Sequence, residues 1–212
     1  MKRIKKYRHL FYGETIGWRD GRRISRELTA QEYDELVSLL EHCKTRIRWS
    51  AADRLGKIEN VLAIYPLVAR LKDPHWLVRL HAAKALTRIG DRAAVKSFID
   101  STGDDCPFVR RRVLEGLLKL DGDVNTAPVF MAALSDPDAF VRRRALEALL
   151  RFSRDVDIAP VLVSALADPD AQVYWCARTA LTCITARTPA SLYPSLWLRC
   201  KWALLRARLT RA

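Results

Sequence analysis

The sequence predicts an all-α fold: an α-solenoid of five helix pairs flanked by basic N- and C-terminal extensions. One observation is periodic. An apolar anchor followed by Arg, two variable residues and a small or apolar pair recurs at Ile47, Val78, Val109 and Val141, with a variant at Val173, at spacings of 31, 31, 32 and 32 residues. A unit of that length cannot bury its apolar face alone and has to stack on its neighbours. The other observation is the punctuation. Asp73, Asp104, Asp136 and Asp168 each stand five residues before an anchor, and Pro74, Pro107, Pro137 and Pro169 follow them. Proline disfavours helix in the residue before it, so each marks a turn between two helices.

The elements follow in order. Thr29-Ala30-Gln31-Glu32 is a capping box that opens the first helix. Asn60, Asp91, Asn125 and Asp157 lie where the first helices of the later repeats should begin. Pro66, Pro128 and Pro160 fall in or near the first turns of those helices, where a missing amide hydrogen costs little. Gly56, Gly90 and Gly122 read as helix ends. The expected organisation is a basic N-terminal extension over 1–29, five repeats over 30–186 and a basic C-terminal capping helix over 187–212, as one structural domain.

Asp-Pro, a short spacer, Val-Arg and a small-residue helix closed by Ile89-Gly90-Asp91 resemble HEAT repeats, in particular the short bacterial subtype also found in phycobilisome lyases. The resemblance covers about three quarters of the chain and bears on fold. It leaves function open, because the family includes scaffolds, bilin lyases, iron hydroxylases and DNA glycosylases.

Arg48, Arg79, Arg110 and Arg142 follow the first four anchors, and the fifth copy has Tyr174; the turn Asp is present in repeats two to five, and the first has His42. Each Arg is therefore expected to pair with the Asp of the next repeat, with the unpaired member omitted at either end. This ladder is read as structural, not as a binding site.

Charge is unevenly placed. The net +13 resides in residues 1–26, with nine bases and two acids, and in 187–212, with six bases and no acid; the repeats between are balanced, with 22 of each. Such tails suit an acidic protein, a nucleic acid or an anionic surface. Five cysteines without C-x-x-C spacing read as reduced thiols in a cytoplasmic protein. No transmembrane segment or secretory signal is expected.

On each second helix, positions two, three, six and ten after the anchor point away from the buried face. These rows hold nine bases and three acids. The candidate partner-binding residues are Trp49, Lys84, Arg88, Arg111, Arg112, Lys119, Arg143, Arg144, Arg151 and Trp175. The HEAT resemblance implies that second helices line an inner face, hence a basic groove bracketed by the two tryptophans. Glu115 with Lys119, and Glu147 with Arg151, have the spacing of helix-surface ion pairs. After Pro194 a basic helix should carry two apolar stripes; the second, Leu198, Trp202, Leu205 and Leu209, is a candidate protein contact more than a membrane one.

Catalytic and metal sites are not expected. The four histidines form no H-E-x-x-H, no glycine loop cradles phosphate, and no Ser or Cys nucleophile has a recognisable base. No cofactor is called for. Asp53, one turn from Trp49, resembles the acid among tryptophans of HEAT-type alkylpurine glycosylases, although their wider pattern is absent. The leading reading is a non-catalytic adaptor or assembly factor that grips an acidic or extended protein segment. The alternatives are a nucleic-acid-binding module, with or without glycosylase chemistry, and a lyase-like chaperone for a prosthetic group.

Overall fold

The computed structural model describes residues 16–19, 22–25, 29–120, 126–151 and 158–187. Asn125, Asp157, Gly122 and the C-terminal stripe of Leu198, Trp202, Leu205 and Leu209 lie outside the described residues. So does most of the expected N-terminal extension. Within it, β1 (Ile16–Arg19) and β2 (Arg22–Ser25) form an antiparallel pair with Ile16 opposite Ser25 and Arg19 opposite Arg22. The helical reading missed this hairpin, although the intervening sequence Asp20-Gly21 is a turn-favouring dipeptide.

The rest of the described residues are all-α, in a helical-repeat solenoid fold. The first compact unit ends at Leu120 and holds α1 (Ala30–Leu39), α2 (Thr45–Ile58), α3 (Ile64–Arg70), α4 (Trp76–Ile89), α5 (Val95–Asp100) and α6 (Pro107–Leu120). The second unit begins at Asp121 and holds α7 (Ala127–Ala133), α8 (Ala139–Arg151), α9 (Ala159–Ala165) and α10 (Ala171–Arg187). These are the five expected pairs, each a first helix followed by a longer second one. No described helix is long and apolar enough to cross a membrane.

Local signals act where the sequence places them. Thr29 and Glu32 make the full capping box of α1, with the Glu32 amide donating to Thr29 Oγ1 and the Thr29 amide to Glu32 Oε2. Asn60 and Asp91 cap short 3₁₀ turns, Val61–Ala63 and Arg92–Ala94, that lead into α3 and α5. The second helices bury their anchors with positions four, five and eight beyond: Val78, Ala82, Ala83 and Leu86 in α4, and Val141, Ala145, Leu146 and Leu149 in α8. First helices add Leu67, Phe98, Phe130 and Leu162 to the same cores. A fully buried side chain of this kind contributes roughly 1.5–3 kcal/mol.

Two helix-end expectations resolve differently. Gly90 ends α4 at φ 80°, its amide donating to the Leu86 carbonyl. Gly56 is no helix end. It lies inside α2 where that helix meets α4, and a Cβ there would sit 2.5 Å from Ala85 Cα. The left-handed cap of α2 is instead Glu59, φ 58°, which stands 31 residues before Gly90. A side chain in that region is strained, so Glu59→Gly should raise stability by roughly 0.5–1 kcal/mol, as read by urea unfolding.

The ladder forms within each unit. Arg48 Nε and Nη2 donate to Asp73 at 2.8 and 2.9 Å, Arg79 to Asp104 at 2.6 and 2.8 Å, and Arg142 to Asp168 at 2.7 and 2.8 Å. The remaining nitrogen of each guanidinium donates to turn carbonyls of its own repeat, such as Asp73 and Pro74 for Arg79. Arg110 likewise donates to the carbonyls of Asp104 and Asp105. Its expected pairing with Asp136 concerns residues of different units and remains an expectation.

Every ladder Asp also closes its own turn. Asp73, Asp104, Asp136 and Asp168 each accept, through Oδ1, the amide hydrogen two residues on, at 2.8–2.9 Å. His42 does the same job in the first repeat, its Nδ1 accepting from the Lys44 amide at 3.0 Å. An imidazole nitrogen thus makes, in the first repeat, the turn that a carboxylate makes in the others. At the other end Tyr174 replaces the Arg and is buried.

Candidate functional site

None of the residues at positions two, three, six and ten after each anchor is buried among those whose side chains are described. In the first unit these rows come from α2, α4 and α6. Asp53 of α2 collects the bases: Lys57 Nζ lies 2.7 Å from its Oδ2, while Arg88 Nη1, His81 Nδ1 and Lys84 Nζ lie 3.3, 3.6 and 3.8 Å from its Oδ1. Three of these four come from α4, so the carboxylate ties together successive second helices. The neighbouring His81 ring, foremost, and then Lys57 and Lys84 hold the Asp53 carboxyl far below the ordinary range, against partial burial that acts to raise it. An acid so stabilised as its anion is a poor proton acceptor.

Trp49 was expected to be exposed. It is partly covered, its ring 4.8 Å from that of His81. On α6, Arg112 pairs with Glu115 at 2.9 Å, and Lys119 Nζ donates to the Thr87 carbonyl of α4 at 2.9 Å. The expected Glu115–Lys119 pair is therefore replaced, because a backbone acceptor on the adjacent helix captures the Lys. Arg111 is half-buried and has no ion-pair partner among the described residues.

In the second unit, Arg143 and Arg144 of α8 both turn to Glu147, at 3.5 and 2.9 Å, and Arg143 also donates to Gln172 of α10. Glu147 is thus engaged by the Arg residues before it, not by Arg151, which is exposed and unpaired among the described residues. Trp175 of α10 is 55% exposed, with the Arg178 guanidinium 4.7 Å above its ring.

Residues 64–150 match the sequence profile of HEAT repeats. This stretch carries HEAT repeats. Over 49 residues it is 43% identical to phycocyanobilin lyase subunit alpha of Picosynechococcus sp., a stretch that makes up 23% of this chain and 18% of that subunit. Among solved structures it resembles the complex of CpcE and CpcF of phycocyanin lyase from Nostoc sp., with a TM-score of 0.51, 19% identity and coverage of 84% of this chain and 83% of that one. It also resembles a condensin subcomplex of S. pombe, with a TM-score of 0.67, 19% identity and coverage of 85% of this chain and 27% of the other. These structural likenesses establish the fold.

The HEAT repeats also present aromatic residues that the four exposed rows omit. Phe108 and Phe140, each immediately before an anchor, are 59% and 51% exposed. Trp76 stacks on Phe108 with ring centroids 5.9 Å apart, and the Arg143 guanidinium lies 5.6 Å above the Phe140 ring. The signal was legible: one residue before the anchor is −100° around the helix, inside the same sector as the basic rows. Among the described residues no group of three His, Cys, Asp or Glu side chains is placed to hold a metal ion.

Proposed function

We propose that this HEAT-repeat chain is a non-catalytic adaptor or assembly factor that binds an acidic, extended segment of a partner protein on the exposed faces of its second helices. The observation that supports it is the unbalanced charge of those faces. In the first unit Lys57, Lys84, Arg88, Arg111, Arg112 and Lys119 face two acids, Asp53 and Glu115; in the second, Arg143, Arg144 and Arg151 face Glu147. Exposed Phe108, Phe140 and Trp175 add apolar anchors beside the charges. Aromatic residues and Arg dominate the energetics of protein interfaces. The lyase likeness is to a complex of two different proteins, which fits a fold used in assembly.

A nucleic-acid ligand is the second reading, favoured by exposed aromatic rings set among Arg side chains, on which bases could stack. A lyase-like chaperone for a prosthetic group is a third, resting on the relative alone. Arg111→Glu combined with Arg151→Glu tests the first reading, and comparing a peptide with an oligonucleotide separates it from the second. Both residues lack ion-pair partners among the described residues, so stability should change by no more than about 0.5 kcal/mol for each. Binding of a fluorescent acidic peptide should fall at least about tenfold. Undiminished peptide binding would overturn the assignment. Preference for an oligonucleotide, with affinity falling by roughly 0.7–0.9 log units per log unit of salt for each phosphate contact, would transfer it to nucleic acid.

A further inference from the structure

Asp53 is the one acid on the shared face of α2 and α4, and four cationic or basic groups converge on it. The four are not held alike. Lys57 makes a close pair with Oδ2 at 2.7 Å, the length of a strong charge-assisted hydrogen bond. Oδ1 is shared by His81, Lys84 and Arg88 at 3.3–3.8 Å, which leaves all three with unused donor capacity. The Lys84 and Arg88 side chains are about one third exposed, at 37% and 33%. His81 Nδ1 is buried with no hydrogen-bond partner. A crowd of donors around one oxygen, with one of them orphaned, is a receptor short of an acceptor.

We propose that Lys84, Arg88 and His81 receive one carboxylate of the partner's acidic segment, and that Asp53 occupies this receptor as an internal substitute until the segment arrives. The ligand is an Asp or Glu side chain in an extended peptide, with the Trp49 ring, packed on His81, as the apolar wall beside its methylene groups. A fixed carboxylate inside the receptor repels the incoming one while keeping the cations gathered. Asp53 therefore lowers the affinity of the receptor for the incoming carboxylate. This inference rests on the acidic-segment reading of the partner.

The test uses the full chain and a fluorescein-labelled hexaglutamate peptide, followed by anisotropy at low salt. Asp53→Asn should tighten binding about five- to tenfold by removing the competing charge. Lys84→Ala with Arg88→Ala should weaken it at least about tenfold, and adding Asp53→Asn to that pair should no longer tighten it. Thermal melts establish that each variant is folded; if Asp53→Asn is not, the Lys84 and Arg88 arm decides, and unchanged affinity there overturns the proposal. Equal or weaker binding by folded Asp53→Asn also overturns it, while peptide binding by the wild type leaves the acidic-partner reading standing. No binding by the wild type or by any variant removes both.

Discussion

Arg48→Ala is expected to cost about 3–5 kcal/mol, the range for removing one partner of a buried ion pair. The side chain makes two bonds to Asp73 and two to the carbonyls of His42 and Cys43, so it joins the turn of one repeat to the turn of the next. Its loss strands a carboxylate whose side chain is 1% exposed. Arg112→Ala, which breaks a more exposed pair with Glu115, should cost no more than about 1 kcal/mol under the same urea titration. Similar losses in the two variants would show that the ladder is not what joins the repeats.

The same pair has a signature in pH. Burial is the largest single influence on the Asp73 carboxyl and raises its pKa, but the Arg48 bond, the His75 amide and the charges of Arg48 and Arg70 together bring it below the ordinary value. A depressed carboxyl stabilises the fold above its unfolded pKa, about 3.9, and that contribution is lost as pH falls through the lower folded value. Without Arg48, burial acts with less opposition and the sign turns. The stability gap between wild type and Arg48→Ala should narrow as pH is lowered from 7 toward 4, and a constant gap would refute the pairing.

Gly56→Ala should destabilise despite the gain of about 1 kcal/mol that Ala brings to a helix interior. The new Cβ would lie 2.5 Å from Ala85 Cα and 2.6 Å from Ala85 Cβ, so α2 and α4 would have to separate. Backbone cannot yield as a flexible side chain can, and overpacking a close contact costs about 1–3 kcal/mol or more. A net loss of about 1–2 kcal/mol is expected, with Gly56→Leu worse. Gly103→Ala is the control, because a Cβ there meets nothing within 4 Å. If Gly56→Ala melts at or above the wild-type temperature, the close approach of these helices is not maintained in solution.

The sequence by itself determined the repeat, the five helix pairs, the turn chemistry and the ladder, including the replacement of its end members by His42 and Tyr174. Those features are local or strictly periodic: an Asx turn is complete within three residues, a capping box within four, and a 31-residue period brings equivalent positions into equivalent surroundings. Only the tertiary structure decided which side chains on the exposed rows meet between helices. Lys119 leaves Glu115 for the Thr87 carbonyl, and Asp53 keeps its i,i+4 neighbour Lys57 as its closest partner while gathering three more from α4, because adjacent helices bring groups within reach that the weak preference of i,i+4 neighbours does not account for. The role of Gly56 was hidden for the same reason. Along the chain a glycine near a helix end reads as a cap, and its purpose here is visible only from Ala85, 29 residues further on and in van der Waals contact across the repeat junction.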